Sequence, residues 1–301
     1  MKQKPWAGSG PWFHQKDTVL MAMTASAELD QTIVPVTPER HGPRRWRRFA
    51  SYGFARTLQD VPIVLAELEP AASALPLAFR QTPAGWEVVA LLSLSPATRG
   101  VFVTASGTWR GTYVPSGLRA YPFVADTSAA KGQATLMIDE SSGLITDDPA
   151  DEPFFDDTAH PAEALAQVIA FFQTRAASQI ETRRAAAALA DAGLLTRWTP
   201  SHGMTEADAA GYWSVDQAAL GAVPENVLAT LWQTGALRLA QSQLISRHHI
   251  GWIARVVAAG AGPPLARTAP PQPNENAPSG DIACFLSALA DAQAAEQDQP
   301  S

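Results

Sequence analysis

The residues best suited to chemistry lie in the short block 111–123, where two X-Pro steps bracket an arginine and two tyrosines. An arginine can clamp a carboxylate or a phosphate with two parallel hydrogen bonds. Tyrosines add hydroxyl groups and apolar walls, which are typical of small-molecule pockets. An acidic residue follows at the end of the next predicted strand. We therefore consider a ligand- or partner-binding pocket formed by Tyr113, Arg119, Tyr121 and Asp139.

The same residues also allow a purely structural interpretation. The prolines would fix a turn, the aromatic rings would fill the core, and Arg119 would pair with Asp139 or Glu140. Neighbouring residues on a strand point to opposite faces, so these two carboxylates cannot easily form one dyad. One of them would pair with Arg119 while the other faces water, which leaves general acid or base chemistry by either as an alternative.

Histidines give a weak signal for a site. His41 lies among arginines, which disfavour its protonation, and it is either a hydrogen-bonded loop residue or a member of the binding site. His248 and His249 are adjacent and diverge around a helix, whereas zinc sites usually use a spacing such as i, i+4. Cys284 is the single cysteine. We expect no metal and no cofactor.

One basic run, Arg44, Arg45, Trp46, Arg47 and Arg48, could touch an anionic surface. Arginines attract anionic lipid headgroups, and a tryptophan can anchor at an interface. Alternatively, the arginine stems cover apolar surface or pair with the acidic stretch 147–157.

Motifs of the common enzyme classes are missing from the chain. The sequence contains no Gly-x-Ser-x-Gly, no Walker loop, no His-Glu-x-x-His, and no dinucleotide-binding glycine triplet after a strand. The formal net charge is −7, which disfavours nucleic acid as the main partner. The molecular activity stays open, with a binding protein favoured over an enzyme.

The elements that must position these residues change character along the chain. Residues 60–140 hold short β-branched or aromatic runs bounded by turn residues, including 61–65, 77–79, 86–92, 100–104 and 134–138. From Pro161 a helical period extends to Gly193, and further helical runs cover 224–235 and 236–257. This predicts an α+β protein, with a mixed or antiparallel sheet in the N-terminal half packed against a helical C-terminal half over 161–258.

Composition divides the chain into four parts. We predict a flexible tail at 1–32, an α+β domain at 33–258, a proline-rich linker at 259–280 and an amphipathic helix at 281–298. The terminal helix would dock back on the core or onto a partner. The apolar run 19–23 is shorter than the core of a signal peptide. A single cysteine fits a reducing compartment, so we expect a cytoplasmic protein, with peripheral membrane association left open.

Several motifs, taken in order, resemble the SapC family, named for an S-layer-associated protein. The resemblance spans about 33–257 and is carried by Pro38-Glu39-Arg40-His41, Val61-Pro62-Ile63 with Glu67, Tyr113-Val114-Pro115, Leu118-Arg119, Tyr121-Pro122-Phe123, Ile138-Asp139-Glu140, Phe154-Phe155-Asp156, Gly193-Leu194-Leu195, Gly211, Val215-Asp216 and Gly235-Ala236-Leu237 leading to Gln243-Leu244-Ile245-Ser246. The family more often has a histidine where Gln243 stands, which argues against an essential imidazole there. The linker and terminal helix are additions to the family pattern.

What the resemblance implies is a biological setting, surface-layer biogenesis, and it brings no established catalytic residues. The leading hypothesis is an accessory protein of cell-surface or secretion-linked processes that binds a peptide or protein partner. The alternative is an enzyme acting on a peptide or amino-acid-like substrate, with Arg119 as carboxylate clamp and Asp139 or His41 as acid or base. A third hypothesis is a peripheral membrane protein that uses the arginine-rich run.

Overall fold

A computed structural model describes residues 32–126, 135–202 and 204–258. The predicted proline-rich linker, the predicted terminal helix and all but the last residue of the predicted N-terminal tail lie outside the described residues.

Strands and helices alternate in the first half of the described chain, and helices dominate the second half. The strands are β1 (Ile33–Pro35), β2 (Arg45–Trp46), β3 (Asp60–Ile63), β4 (Leu77–Thr82), β5 (Gly85–Leu91), β6 (Phe123–Asp126), β7 (Thr135–Asp139), β8 (Ile145–Thr146), β9 (Glu152–Pro153), β10 (Leu195–Arg197) and β11 (Tyr212–Val215). The α-helices are α1 (Pro38–His41), α2 (Leu68–Ala72), α3 (Ser116–Arg119), α4 (Glu163–Asp191), α5 (Glu206–Ala209), α6 (Gln217–Gly221), α7 (Glu225–Gln233), α8 (Ala236–Ser246) and α9 (His248–Ala258).

Three sheets organise these strands, and the strand pairs described are antiparallel. The central sheet has the order β10-β11-β4-β5-β3, a second has the order β1-β7-β6, and a small third sheet has the order β8-β2-β9. The central sheet is built on the hairpin β4–β5, which turns between Thr82 and Gly85. This confirms the predicted α+β class. The sheet is antiparallel, and it recruits β10 and β11 from the C-terminal half.

Helix α4 is the longest element and confirms the predicted run from Pro161 to Gly193. It continues through Ser178 without a break, and Gly193 follows it with φ +68°, a backbone conformation that glycine adopts without strain. The predicted third helical run is wrong in one respect, because it divides into α8 and α9 on either side of Arg247.

Two strand predictions need correction. Residues 100–104 form turns with a single bridge from Val103 to Trp109 instead of a strand. The strand β6 was not predicted, because its short apolar sequence follows the proline-rich block directly. The preceding peptide bond, Tyr121–Pro122, is cis.

Two hydrophobic clusters form the core, and α4 contributes to both. Leu165, Phe171 and Phe172 pack with the second and third sheets. Ala185, Ala186 and Leu189 pack with the central sheet. The first half of α4 therefore serves one cluster and the second half serves the other.

Helix α8 is fixed to the central sheet by buried polar side chains. The Gln243 side chain is fully buried. Its Oε1 accepts from the Val215 N–H at 3.1 Å, and its Nε2 donates to the Leu77 carbonyl at 3.1 Å. Ser246 Oγ accepts from the Leu77 N–H at 3.0 Å. Gln243 thus joins β11 and β4 through backbone groups. Among the described residues, no helix combines the length and apolar character needed to cross a membrane.

Candidate functional site

The block 111–123 is organised around a buried carboxylate, Glu67, which was not among the predicted site residues. Glu67 ends a 3₁₀ turn that starts at Leu65, and it is only 1% exposed. It accepts hydrogen bonds from Tyr113 Oη at 2.7 Å, Ser116 N at 2.7 Å and Ser116 Oγ at 2.6 Å. Burial of a carboxylate is tolerated when donors satisfy its oxygens. Glu67 therefore holds the block in its conformation.

Arg119 reaches the same network through Tyr113. Its Nη2 donates to Tyr113 Oη at 3.2 Å, and its guanidinium lies 5.5 Å from the centre of the Tyr113 ring. Burial, followed by the nearby Glu67 carboxylate, raises the pKa of Tyr113 well above its ordinary value. The Tyr113 hydroxyl thus stays protonated and links Glu67 to Arg119.

Arg175 of α4 ties the long helix to this network. Its Nε donates to Ser116 Oγ at 3.1 Å, and its Nη2 donates to the Pro62 carbonyl at 2.8 Å. Burial lowers the pKa of the Arg175 guanidinium, which nevertheless remains the charged form at neutral pH. The arginine thus joins α4 to both α3 and β3.

Tyr121 and Asp139 belong to a second polar group. Tyr121 Oη donates to Asp139 Oδ2 at 3.3 Å, and the Tyr121 ring stacks on Phe54 with 3.9 Å between ring centres. Asp139 also accepts from Ser141 N at 2.9 Å and from Thr32 Oγ1 at 3.2 Å. Burial raises the pKa of Tyr121. This group fixes the end of β7.

His41 and Glu140 form a third group beside it. The His41 side chain is buried, its Nδ1 accepts from the Thr37 N–H at 3.2 Å, and its Nε2 lies 3.4 Å from Glu140 Oε1. Arg40 donates to both oxygens of Glu140, at 2.7 and 2.6 Å, and these bonds lower the pKa of that carboxyl. Glu140 therefore pairs with Arg40 and His41, and it does not form a dyad with Asp139.

The arginine-rich run is partly built into the fold. Trp46 is 3% exposed and packs edge to face on Phe123, with ring centres 4.8 Å apart. Its expected use as an interfacial anchor is therefore wrong for this conformation. Arg44 pairs with Asp147 of the acidic stretch, and Arg45 lies in β2 between β8 and β9. Arg47 and Arg48 remain exposed.

A cavity of about 80 Å³, partly open to solvent, lies on the other side of the block. It is placed between α4 and the elements β3, α3 and β6, where the two hydrophobic clusters meet. Its apolar walls include Leu58, Val61, Leu118, Phe123, Val124 and Phe172. Three residues of the block, Gly117, Leu118 and Phe123, line it, whereas His41, Tyr113, Arg119, Tyr121 and Asp139 do not.

Four polar side chains line the cavity: Glu87, Arg175, Gln179 and Arg183. Glu87, which is 3% exposed, accepts from Arg80 Nη2 at 3.2 Å and from Arg183 Nη2 at 3.3 Å. The chain of charges continues from Arg80 to Asp60, at 2.8 Å, and Tyr212 also donates to Asp60. Burial is the main reason that the pKa of Asp60 is raised. These groups hold Glu87 firmly at the rim of the cavity.

The sequence carries one signal for the cavity, on helix α4. Arg175, Gln179 and Arg183 follow the spacing i, i+4, i+8, which places them on one face of α4. Polar residues at that spacing usually face water. Only the tertiary fold shows that this face is turned toward β3 and β6.

Within the described ranges, 32–126, 135–202 and 204–258, no three His, Cys, Asp or Glu side chains are grouped so that they could hold a metal ion.

Comparison with known proteins places the chain in a family. A model of the SapC family matches residues 36–252, a range that contains the Glu67 network, the Tyr121–Asp139 group and the cavity. The searches of curated proteins and of solved structures return no significant match. Because the family model covers most of the chain, the protein belongs to the SapC family.

Proposed function

We propose that this SapC family member is a binding protein that serves cell-surface or secretion-linked processes and recognises a peptide or protein partner through the cavity beside the block 111–123. The cavity is the observation that carries the proposal. It adjoins the block 111–123, which carries the strongest family-like motif, and it has apolar walls and four polar side chains. Binding sites usually have this composition.

The Glu67 network supports a role in shaping this cavity. Tyr113, Ser116 and Arg119 are engaged with one another or with Glu67, so they fix α3 and with it the wall formed by Gly117 and Leu118. Tyr113 and Arg119 then act as positioning residues that do not line the cavity, and the direct polar contacts to the partner come mainly from α4.

The alternative enzyme hypothesis needs Arg119, Asp139 and His41 at one pocket. Arg119 contacts Tyr113, Asp139 contacts Tyr121 and His41 contacts Glu140, and none of the three side chains lines the cavity. We therefore favour binding over catalysis. We place the protein in the cytoplasm, because its single cysteine suits a reducing compartment.

The proposal can be tested by filling the cavity. Ala176 lines it, while its neighbour Ala177 on α4 is exposed. We suggest purifying tagged full-length protein from its native cells as wild type, Ala176→Leu and Ala177→Leu. The two substitutions are chemically identical, and leucine is accommodated well in helices.

A partner that is retained by wild type and Ala177→Leu but lost by Ala176→Leu would support the proposal. Retention by both variants would place partner binding elsewhere and contradict it. Circular dichroism of each variant checks that loss of the partner does not reflect loss of the fold.

A further inference from the structure

The cavity carries more positive than negative charge. Among the described residues, Arg175 donates to Ser116 Oγ and to the Pro62 carbonyl, and both of these oxygens are neutral. The other lining arginine, Arg183, shares the Glu87 carboxylate with Arg80. Arg80 also pairs with Asp60, whereas Arg175 has no carboxylate at contact distance among the described residues and reaches Glu67 only through Ser116 Oγ. A partly desolvated cation of this kind attracts an anion.

Gln179 provides a second, independent sign of a ligand. The side chain is 9% exposed, it lines the cavity, and its Nε2 has no hydrogen-bond partner in the described part of the chain. A buried amide without a partner costs free energy. Native proteins rarely keep such a group unless something else satisfies it. The Gln179 amide therefore offers a donor to an acceptor that enters the cavity.

The rest of the wall defines what surrounds that acceptor. Phe123, Val124 and Phe172 are apolar, and the volume of about 80 Å³ matches a group of side-chain size rather than a large ring system. A bare inorganic anion would leave these walls uncovered. An anion attached to a small apolar group would satisfy Arg175 and Gln179 and fill the apolar part together.

We infer that the cavity binds a carboxylate attached to an apolar group of side-chain size, with the carboxylate at Arg175 and Gln179 and the apolar group against Phe123 and Phe172. This inference rests on the proposed binding function and names the chemistry of its ligand. Two sources have this chemistry: a small apolar carboxylic acid, and the C-terminal residue of a peptide.

The charge of the carboxylate can be tested with matched probes. Isothermal titration of the full-length protein would compare N-acetyl-leucine with N-acetyl-leucinamide, and a peptide ending in leucine with its C-terminal amide. We expect each acid to bind at least tenfold more tightly than its amide. Equal binding of acid and amide would overturn the inference, as would inorganic phosphate that binds as tightly as the acids.

The role of Gln179 can be separated from folding. Since its Nε2 has no partner among the described residues, Gln179→Leu should leave the unfolding midpoint unchanged or raise it, while weakening the binding of N-acetyl-leucine at least fivefold. Gln173→Leu, at an exposed position of the same helix, is the control and should leave binding unchanged. Wild-type affinity in Gln179→Leu would overturn the assigned contact.

The same probes and the Ala176→Leu variant identify the source of the ligand, and they separate failure of this inference from failure of the proposed function. A peptide acid that binds at least tenfold more tightly than N-acetyl-leucine identifies a peptide C-terminus, and equal affinities identify a small acid. If no acid binds but Ala176→Leu still loses the cellular partner, the ligand chemistry is wrong and the proposed function stands. If acids bind but Ala176→Leu retains the partner, the proposed function is wrong and the ligand chemistry stands.

Discussion

The carboxylate of Glu67 accepts from three donors of the block 111–123 and holds the block in its conformation. We predict that Glu67→Gln destabilises the protein by about 3 kcal/mol, because an amide group replaces one acceptor oxygen with a donor that faces other donors. Urea unfolding followed by circular dichroism would measure this change.

Glu69→Gln is the matched control, because Glu69 is 60% exposed and pairs with Arg238 at the surface. It should change the free energy of unfolding by less than about 0.5 kcal/mol. A loss in Glu67→Gln no larger than the loss in Glu69→Gln would show that the network does not support the block.

His41 links stability to pH. Burial lowers its pKa below the ordinary value of 6.5. When the pH falls through 6.5, the unfolded chain takes up a proton at this site while the native chain does not. Stability is therefore lost on acidification, down to the pKa of the native state, at no more than about 1.4 kcal/mol per pH unit. We predict that His41→Asn removes this part of the pH dependence.

The measurement is the free energy of unfolding of wild type and His41→Asn between pH 7.5 and pH 5.5. Asparagine can still accept from the Thr37 N–H, so the variant should fold. Wild type should lose stability relative to the variant as the pH falls, and His248→Asn, at an exposed position, should behave as wild type. Parallel curves for wild type and His41→Asn would contradict the assigned role.

Helix α4 acts as the element that holds the Glu67 turn in place. Thr182 Oγ1 accepts from the Leu65 N–H at 2.8 Å, and Ser178 Oγ accepts from the Ala66 N–H at 3.1 Å. Thr182→Val would keep the shape and leave a buried N–H without its acceptor. We predict a loss of about 2 kcal/mol in the free energy of unfolding, measured by urea denaturation.

Thr174→Val on the same helix provides the comparison, because the exposed bond of the Thr174 hydroxyl goes to the Ala170 carbonyl one turn earlier. It should cost less than about 0.5 kcal/mol. If the two valine variants lose the same free energy of unfolding, the bond from the Leu65 N–H to Thr182 does not stabilise the Glu67 turn.

The elements were largely predictable from local pattern, and the cavity with its polar lining was not. Helix α4 could be recognised from its start at a proline, its apolar spacing and Gly193. The hairpin β4–β5 could be recognised from two apolar runs and a turn. Arg175, however, meets Ser116 and Pro62 across 59 and 113 positions. No local pattern contains such contacts, so polar residues on α4 resemble a solvent-facing side.

Two predicted contact residues make other contacts than their residue types suggest. Arg119 has the charge and reach of a carboxylate clamp, yet the structure turns its guanidinium toward Tyr113. Trp46 has the composition of a membrane anchor, yet β2 carries it into the core. For Trp46, burial decides the role, and burial depends on the packing of distant strands.

At the scale of the whole molecule, the two hydrophobic clusters are joined by α4 over its 29 residues. The cavity lies at their junction, lined by Leu58 and Val61 of one cluster and by Phe123 and Phe172 of the other. A ligand that fills the junction would contact both clusters, and binding would stabilise the native state as a whole.

This arrangement predicts that the two clusters unfold together. Loss of either cluster would expose one half of α4 and also break the Arg175 bonds that join α4 to β3 and α3, so an intermediate with one cluster folded should not accumulate.

Hydrogen exchange measured by mass spectrometry at increasing urea concentrations would follow residues 77–91 of the central sheet and 135–139 of the second sheet. We expect protection in both segments to be lost over the same range of urea. If protection in residues 135–139 is lost at clearly lower urea, α4 does not couple the clusters. In that case, saturating N-acetyl-leucine should increase protection in one of the two segments instead of both.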